Sequence, residues 1–219
     1  MLPNGSVDLI LTDPPYAISR KTGFQNVKDG VDRFAVSMDF GKWDHQSIDL
    51  QKLCHLSHEA LRRGGTAIIW YDLWKITHLK SAMAKAGFRM IRLVIWQKTN
   101  PVPLNQSATY LSNSREIALV GVKGGKPTFN SKYDNGIYEA PIPRHNGKRI
   151  HPTQKPVDLF CELIRKHSKP GDLVVDPFIG SGTTAISSIR SGRDFMGCDI
   201  DEGYVLAARR RIEMEVGNV

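Results

Sequence analysis

The sequence predicts an α/β protein whose strands form a doubly wound, mostly parallel sheet. Apolar runs typical of buried strands alternate with stretches of helical periodicity, first over 7–96 and again over 156–215. Turns rich in proline or glycine follow two of these strands, and open α/β sheets bind their ligands beyond such strand ends. A chain of 219 residues can build a full core without disulfides, so we expect a single domain over 1–219.

The first half of the chain alternates strands and helices. Two consecutive prolines follow the first apolar run and make the chain leave the sheet there, because proline cannot continue a strand ladder. The pair Gly64-Gly65 is a helix stop signal after an apolar stripe of helical spacing. The predicted elements are a strand over 7–11, a helix over 48–62, a strand over 66–71, a helix over 73–86 and a strand over 88–96.

The last third returns to the same alternation. Pro156 is well placed as a first helical residue, and a Pro-Gly pair at 170–171 ends that helix. The predicted elements are a helix from 156, a strand over 172–176, a helix from about 183 to 192, a strand over 193–200 and a helix over 201–215.

Residues 97–150 interrupt the alternation. They contain five prolines and many Gly, Asn and Ser residues, and 116–120 alone has the character of a further strand. We expect the remainder to form loops inserted beside the sheet. A second irregular stretch, 17–47, has no clean period and is predicted to be a functional lid or a disordered loop.

Positive charge is concentrated in the inserted region. From 97 to 155 nine basic residues accompany three acidic ones, which accounts for most of the net charge of +8. A solvated basic face is one explanation, but such concentration favours contact with the phosphates of a nucleic acid. The residues assigned to that contact are Lys98, Arg115, Lys123, Lys126, Lys132, Arg144, Lys148 and Arg149.

The first candidate site is the turn Asp13-Pro14-Pro15-Tyr16. It places a carboxylate, a rigid extended backbone and an aromatic ring together at the carboxyl end of a strand. A proline-stiffened turn with a surface Asp is the alternative interpretation. The tetrapeptide alone does not decide between the two.

The second candidate site is the glycine-rich turn over 176–184. Gly180 and Gly182 carry no Cβ and would let the backbone approach a ligand, while the helix that follows offers free N–H groups. One strand later, about 20 residues on, Asp199 stands where Rossmann-like folds place an acid that binds ribose hydroxyls. No Lys-Ser/Thr pair follows the glycines, which excludes a Walker A loop. A dinucleotide site competes, but it gives no role to the proline turn.

Together these motifs resemble the β group of amino-group DNA methyltransferases, which transfer a methyl group from S-adenosyl-L-methionine to a base nitrogen. The resemblance covers almost the whole chain. It also includes Trp96-Gln97-Lys98 and the stretch His151-Pro152-Thr153-Gln154-Lys155-Pro156. It implies a Rossmann-like methyltransferase sheet in which 97–150 is the target-recognition region.

The resemblance implies two sets of cofactor contacts. The residues matching His151, Thr153 and Lys155 lie close to the methionine end of the cofactor in the family, and Asp13 also lies beside it. The remaining residues assigned to S-adenosylmethionine are Asp176, Phe178, Gly180, Ser181, Gly182, Thr183 and Asp199.

The implied chemistry explains the proline turn. An adenine N6 is a poor nucleophile because its lone pair is conjugated into the ring. If Asp13 and the Pro14 carbonyl accept its two hydrogens, the nitrogen can aim that lone pair at the methyl group. Tyr16, held by Pro15, would stack on the base, which must be flipped out of double-stranded DNA. We therefore expect a site-specific adenine N6-methyltransferase of a restriction–modification system, or a solitary or phage-borne enzyme.

Alternative activities follow from the same residues. Methylation at cytosine C5 needs a thiolate, typically after a proline, and none of the three cysteines follows one. Cytosine N4 poses the same chemical problem as adenine N6, although an Asp-led turn favours adenine. A nucleic-acid-binding relative without activity is a third candidate. The resemblance implies a further strand before the proline turn; the sequence lacks it, so we expect either a trimmed sequence or a missing edge strand and an incomplete pocket for the cofactor's adenine.

Composition predicts the setting of the protein. No apolar run approaches the ~20 residues of a membrane span, and the first residues lack a signal peptide. The cysteines have no metal-ligand spacing, so we expect buried reduced thiols in a cytoplasmic protein and no metal. A homodimer and a cognate restriction nuclease are the further partners that the family suggests.

Overall fold

The computed structural model describes residues 2–15, 48–101, 111–143 and 154–217. The strands of this part form a single seven-stranded sheet. In chain order they are β1 (Val7–Thr12), β2 (Leu61–Tyr71), β3 (Arg89–Lys98), β4 (Arg115–Val122), β5 (Ile137–Ala140), β6 (Leu173–Asp176) and β7 (Asp194–Gly197). The helices are α1 (Leu50–Ala60), α2 (Ile76–Ala86), α3 (Val157–His167), α4 (Thr183–Arg190) and α5 (Glu202–Val216).

The sheet is mostly parallel, as predicted. The strand order is β5-β3-β4-β2-β1-β6-β7, and β4 alone runs antiparallel to its neighbours, β2 and β3. The pairs β1–β2, β1–β6, β6–β7 and β3–β5 are all parallel. The carboxyl ends of six strands therefore meet at one edge of the sheet, which we call the carboxyl edge.

Helices cover both faces of the sheet, which confirms the doubly wound architecture. Alternate residues of β1 face opposite sides: Leu9 and Leu11 pack in a core with Phe160 of α3, and Ile10 packs in a second core with Met83 of α2. Trp70 of β2 stacks on Phe160, with ring centroids 6.1 Å apart. No helix in the described part of the chain is long and apolar enough to cross a bilayer.

The predicted stop of the first helix is wrong. The helix α1 ends at Ala60, and Gly64-Gly65 lies inside β2. Gly64 has a φ of +82°, and its amide donates to the Lys123 carbonyl. The pairing with β1 jumps there from Val7–Leu61 to Leu9–Thr66. The glycines thus form an irregularity in a strand, and the chain enters the sheet directly after α1.

The region 97–150 is more regular than predicted. The expected strand over 116–120 is present as β4, and it lies inside the sheet between β2 and β3. A strand that was not predicted, β5, has four residues and pairs with β3 at the outer edge of the sheet. Such a strand is too short for a periodic signal. Apart from β4, β5 and the end of β3, the described residues of this region form neither helix nor strand, as expected for loops.

One prediction about the cysteines is also wrong. Cys54 and Cys161 are buried, whereas Cys198 is exposed. Cys198 directly follows β7, which is the last strand in the described sheet, so the chain on that side is not covered by a further strand.

Candidate active site

The two predicted motifs lie side by side at the carboxyl edge. The strands β1 and β6 are parallel neighbours, so the turn that follows each one emerges at the same place. A cleft separates the turns, and Asp13, Gln154, Lys155, Phe178, Gly180 and Ser181 are among the residues that line it. Residues 13 and 180, far apart in sequence, thus belong to one site.

Asp13 lies directly after β1 with a largely buried side chain, 17% exposed. Its Oδ2 accepts a hydrogen bond from the Lys155 ammonium. Its Oδ1 is buried and has no hydrogen-bond partner among the residues that the structure describes. A buried acceptor without a donor is costly, so this oxygen is suited to receive a donor from a ligand.

Burial also tunes this carboxyl group. Desolvation raises the pKa of Asp13 above its ordinary value, and the nearby charge of Glu116 raises it further, while the Lys155 ammonium opposes both. A carboxylate with a raised pKa is a stronger hydrogen-bond acceptor than one in water. The Lys155 cation favours the ionised form of this carboxyl group.

Lys155 is itself held by protein groups. Its side chain is 3% exposed, and its Nζ lies 3.0 Å from Glu116 Oε2 and 5.6 Å from the centre of the Trp70 ring. Its backbone carbonyl lies within reach of the Thr183 hydroxyl, at 3.4 Å. The segment before α3 is thus connected both to β4 and to the start of α4.

Asp176 occupies the end of β6, and both of its carboxylate oxygens accept hydrogen bonds from the protein. Its Oδ1 accepts from the Thr12 hydroxyl at 2.6 Å and the Phe178 amide at 3.0 Å, and its Oδ2 accepts from the Thr184 hydroxyl at 2.6 Å. Burial raises its pKa to about 6 against the effect of these hydrogen bonds. The structure therefore shows Asp176 joining the ends of β1 and β6 to α4. Direct contact with a cofactor stays a prediction.

The glycine-rich turn is shaped by two residues with positive φ. Gly180 has a φ of 48° and Gly182 one of 80°, and Gly182 caps the start of α4. A Cβ on Gly182 would lie 3.0 Å from the Cβ of Ala208. At this glycine the close approach is to α5, and the approach of a ligand stays a prediction. Arg211 of α5 also donates to the Ser181 carbonyl.

Asp199 stands two residues beyond β7, at the same edge of the sheet. Its Oδ2 accepts from the Gly180 amide at 2.9 Å, and its Oδ1 accepts from the Asp201 amide at 3.0 Å. Each carboxylate oxygen can accept a second hydrogen bond. The glycine turn thus fixes this carboxylate while leaving it capacity for a pair of hydroxyl groups.

Other predicted site residues are placed as follows. Pro14 is buried and Pro15 is half-buried beside Asp13, and Thr183 and Thr184 are buried at the start of α4. Phe178 is half-buried and packs against the core. Tyr16, His151, Thr153, Arg144, Lys148 and Arg149 lie outside the described residues.

The predicted DNA contacts divide between two edges of the sheet. Lys98 and Arg115 lie at the carboxyl edge, because the end of β3 pairs with the start of β4. Lys98 binds Glu116 at 2.7 Å with 12% of its side chain exposed, whereas Arg115 is exposed and donates to Gln97 at 2.9 Å.

The remaining described members of that set lie at the other edge. Lys123 follows the end of β4 and donates to the Glu59 carbonyl, close to the start of β2. Lys126 and Lys132 are exposed in the chain that follows. Because β4 is antiparallel to β2, this segment leaves the sheet opposite the cleft. A single DNA face around the cleft would use Arg115 but not Lys123.

Sequence reasoning missed Glu116 as a residue of the site. It binds both Lys98 and Lys155, and through Lys155 it is linked to Asp13. The available signal was an acidic residue in a region with few acids, directly at the start of a predicted strand. Thr12 and Gln154 were also missed, although both adjoin residues of the predicted motifs.

Known proteins match this chain over nearly its whole length. The family model described as DNA methylase matches residues 7–210. Type II methyltransferase M2.DpnII of Streptococcus pneumoniae is 35% identical over 232 residues, covering 96% of this chain and 84% of that protein. Type II methyltransferase M2.LlaDCHI of Lactococcus lactis subsp. cremoris is 32% identical and covers 94% of this chain and 82% of its own.

Solved structures share the fold. A complex of M1.HpyAVI with SAM superimposes with a TM-score of 0.69 and 25% identity, covering 95% of this chain and 90% of the other. The cytosine-N4-specific PvuII DNA methyltransferase gives a TM-score of 0.73 with 19% identity, covering 99% of this chain and 85% of the other. At the latter identity the likeness concerns the fold alone.

Proposed function

The chain belongs to the DNA methylase family, and we propose that it methylates the N6 amino group of an adenine flipped out of double-stranded DNA. It is accordingly a DNA methyltransferase, and S-adenosylmethionine is its methyl donor. The observation that carries the choice of an amino group is the buried Oδ1 of Asp13 in the cleft, which has no hydrogen-bond partner in the described part of the chain. An exocyclic amino group supplies the donor that this oxygen lacks.

The residues present fit the cofactor. Asp199 would hold the ribose hydroxyls, since its oxygens retain acceptor capacity beside the Gly180 amide. The start of α4 at Thr183 offers N–H groups for the carboxylate of the methionine part. Bound there, S-adenosylmethionine supplies a methyl group on a sulfonium, which leaves readily without help from a metal or a covalent enzyme intermediate.

Asp13 performs the central task of the reaction. Its Oδ1 accepts one hydrogen of the amino group, and the Pro14 carbonyl accepts the other. These two bonds favour a tetrahedral nitrogen with its lone pair directed away from the ring. Bound in the cleft, the cofactor would give up its methyl group and remain as the neutral thioether. The positive charge that develops on the nitrogen would lie beside the Asp13 carboxylate until the nitrogen loses a proton to solvent. Lys155 holds Oδ2 of the same carboxylate and thereby leaves Oδ1 for the base.

Adenine is favoured over cytosine by the Asp that begins the turn, because the cytosine N4 enzymes of the resembled family more often carry Ser there. The same geometry would nevertheless accept an amino group at cytosine N4. Mass spectrometry of nucleosides from host DNA, after expression of this chain, distinguishes the two. We expect N6-methyladenine, and the appearance of N4-methylcytosine in its place would contradict the proposal.

The setting of the enzyme is part of the same proposal. The relatives named Type II methyltransferases support a role in restriction–modification with a cognate nuclease, acting on DNA in the cytoplasm. A homodimer is a further element of the proposal. Modified-base sequencing of the same host DNA would identify the recognition sequence, and size-exclusion chromatography with light scattering would give the number of subunits.

A further inference from the structure

Four charged side chains form a continuous network from β3 to the cleft. Lys98 of β3 binds Glu116 Oε1 at 2.7 Å, and Lys155 binds Glu116 Oε2 at 3.0 Å. Lys155 also donates to Asp13 Oδ2. Two ammonium groups and two carboxylates alternate, so the network is neutral as a whole. Glu116 is its central member, since each of its oxygens binds a different cation.

The network fixes the geometry of Asp13. A lysine side chain has a flexible four-carbon stem, so without a further partner its ammonium group could bind Asp13 from several positions. Glu116 is anchored on β4, whose pairing with β3 places it opposite Trp96. It therefore holds the Lys155 ammonium at one point, and that ammonium holds one oxygen of Asp13. The other oxygen, Oδ1, keeps its free acceptor capacity.

We propose that Glu116 is a positioning residue for the methyl transfer, acting through Lys155 to hold Asp13 in place with Oδ1 available to the amino group. This inference rests on the proposed function of Asp13. Glu116 touches neither the base nor the cofactor in this account. Its two contributions are a fixed place for the Lys155 ammonium and a negative charge that balances that ammonium.

The electrostatics of the site support the second contribution. Among the described residues, the charged groups around Asp13 are Lys155 before α3, Glu116 on β4 and Asp176 on β6, with Lys98 beyond Glu116. Burial alone would raise the pKa of Glu116, but the ammonium groups of Lys155 and Lys98 hold it below its ordinary value. The two ammonium groups thus favour the ionised form of Glu116, and its charge raises the pKa of Asp13.

The test compares Glu116→Gln with Glu116→Asp and with Glu139→Gln. The first removes the charge, the second keeps the charge on a shorter arm, and the third neutralises an exposed glutamate of the neighbouring strand β5. Single-turnover methyl transfer to adenine-containing DNA is measured from pH 5 to 9. Titration calorimetry with S-adenosylmethionine and thermal melting are run on the same proteins.

Glu116→Gln is expected to slow the transfer at least about tenfold at the plateau while cofactor affinity changes less than about threefold. The acid limb of the pH–rate profile of this variant shifts to lower pH, because loss of a nearby negative charge lowers the pKa of Asp13. Glu116→Asp keeps the acid limb of the wild type and recovers part of the rate. Glu139→Gln matches the wild type.

The two proposals fail in different ways. A folded wild type that binds cofactor but transfers no methyl group to adenine contradicts the proposed function. A wild type that methylates adenine, with Glu116→Gln equal to it in rate and acid limb, contradicts the role of Glu116 alone. A slower Glu116→Gln variant whose acid limb does not move also contradicts it, because a merely structural defect would lower the rate at every pH.

Discussion

Asp13 and Asp176 are two buried carboxylates at the ends of adjacent strands, and the protein treats them differently. Asp176 accepts three hydrogen bonds from neutral groups of the chain, and no atom of it lacks a partner. Asp13 receives one ammonium on Oδ2, and its buried Oδ1 has no donor in the described structure. The carboxylate with both oxygens bound by the chain, Asp176, stabilises the structure of the site. The carboxylate with one oxygen unbound in the described structure, Asp13, is available for chemistry.

The largest expected effect is on the stability of the fold, when the Asp176 carboxylate is removed. Asp176→Ala leaves the Thr12 hydroxyl and the Phe178 amide without their acceptor, whereas the Thr184 hydroxyl keeps the Leu11 carbonyl at 3.5 Å. At about 1–3 kcal/mol for each of the two unsatisfied groups, the free energy of unfolding should fall by roughly 2–6 kcal/mol. Urea unfolding measures this. Asp176→Asn is the matched control, since its amide oxygen still accepts, and an Ala variant as stable as the Asn variant would contradict the anchoring role.

The pH dependence of stability should report the burial of the Asp176 carboxyl group. The pKa of Asp176 is raised to about 6 in the folded protein, so its contribution is fully present below the unfolded pKa near 3.8 and is lost as the pH rises through 6. The loss is on the order of 2–3 kcal/mol. Asp176→Asn should remove this part of the pH dependence between pH 4 and 7. If the free energy of unfolding depends on pH identically in Asp176→Asn and the wild type, the raised pKa of Asp176 is contradicted.

Loss of the Asp199 carboxylate should weaken cofactor binding without unfolding the protein. Asp199→Ala removes a charged acceptor for the ribose hydroxyls, and each such bond contributes about 1.5–3 kcal/mol at most. We expect the affinity for S-adenosylmethionine in calorimetry to fall at least about tenfold. Asp201→Ala is the neighbouring control, because its side chain caps α5 instead. Equal affinities for Asp199→Ala and the wild type would reject the assignment.

The smallest expected effect concerns DNA binding at the two edges of the sheet. Arg115→Gln should weaken binding by about 1 kcal/mol or less and reduce the salt slope by about one unit, because an exposed cation at the carboxyl edge can reach phosphate. Lys126→Gln, at the opposite edge, should leave both unchanged. Fluorescence anisotropy at several salt concentrations measures the affinity and the salt slope. A larger effect of Lys126→Gln than of Arg115→Gln would indicate that DNA binds at the opposite edge of the sheet.

The fold was predictable from the sequence because its strands and turns carry local signals. The apolar run before Asp13, the glycines after β6 and the alternation of elements gave the sheet, and the family model confirms the predicted DNA methyltransferase. The short strand β5 carried too little pattern to be found. Gly64 was mistaken for a helix stop because its positive φ serves a strand irregularity instead.

Residues of the candidate site were predictable only where they belong to a single sequence motif. The residues of the two turns could be named in advance, but Glu116 could not, because its partners Lys98 and Lys155 are distant in sequence and meet it only in the folded sheet. Charge counting likewise grouped Lys123 with Arg115, although the antiparallel course of β4 places them at opposite edges. The pairing of the strands determines both the contacts of Glu116 and the edge at which each cation lies. Composition does not encode that pairing.

The central claim is that the free oxygen of Asp13 holds the target amino group. The most direct test is single-turnover transfer of labelled methyl to adenine-containing DNA by the wild type and Asp13→Ala, with cofactor binding measured in parallel. The account predicts a rate lower by roughly 10²–10³, or about 2.7–4 kcal/mol, with cofactor binding largely retained. A variant that binds the cofactor and methylates within about threefold of the wild-type rate would contradict it.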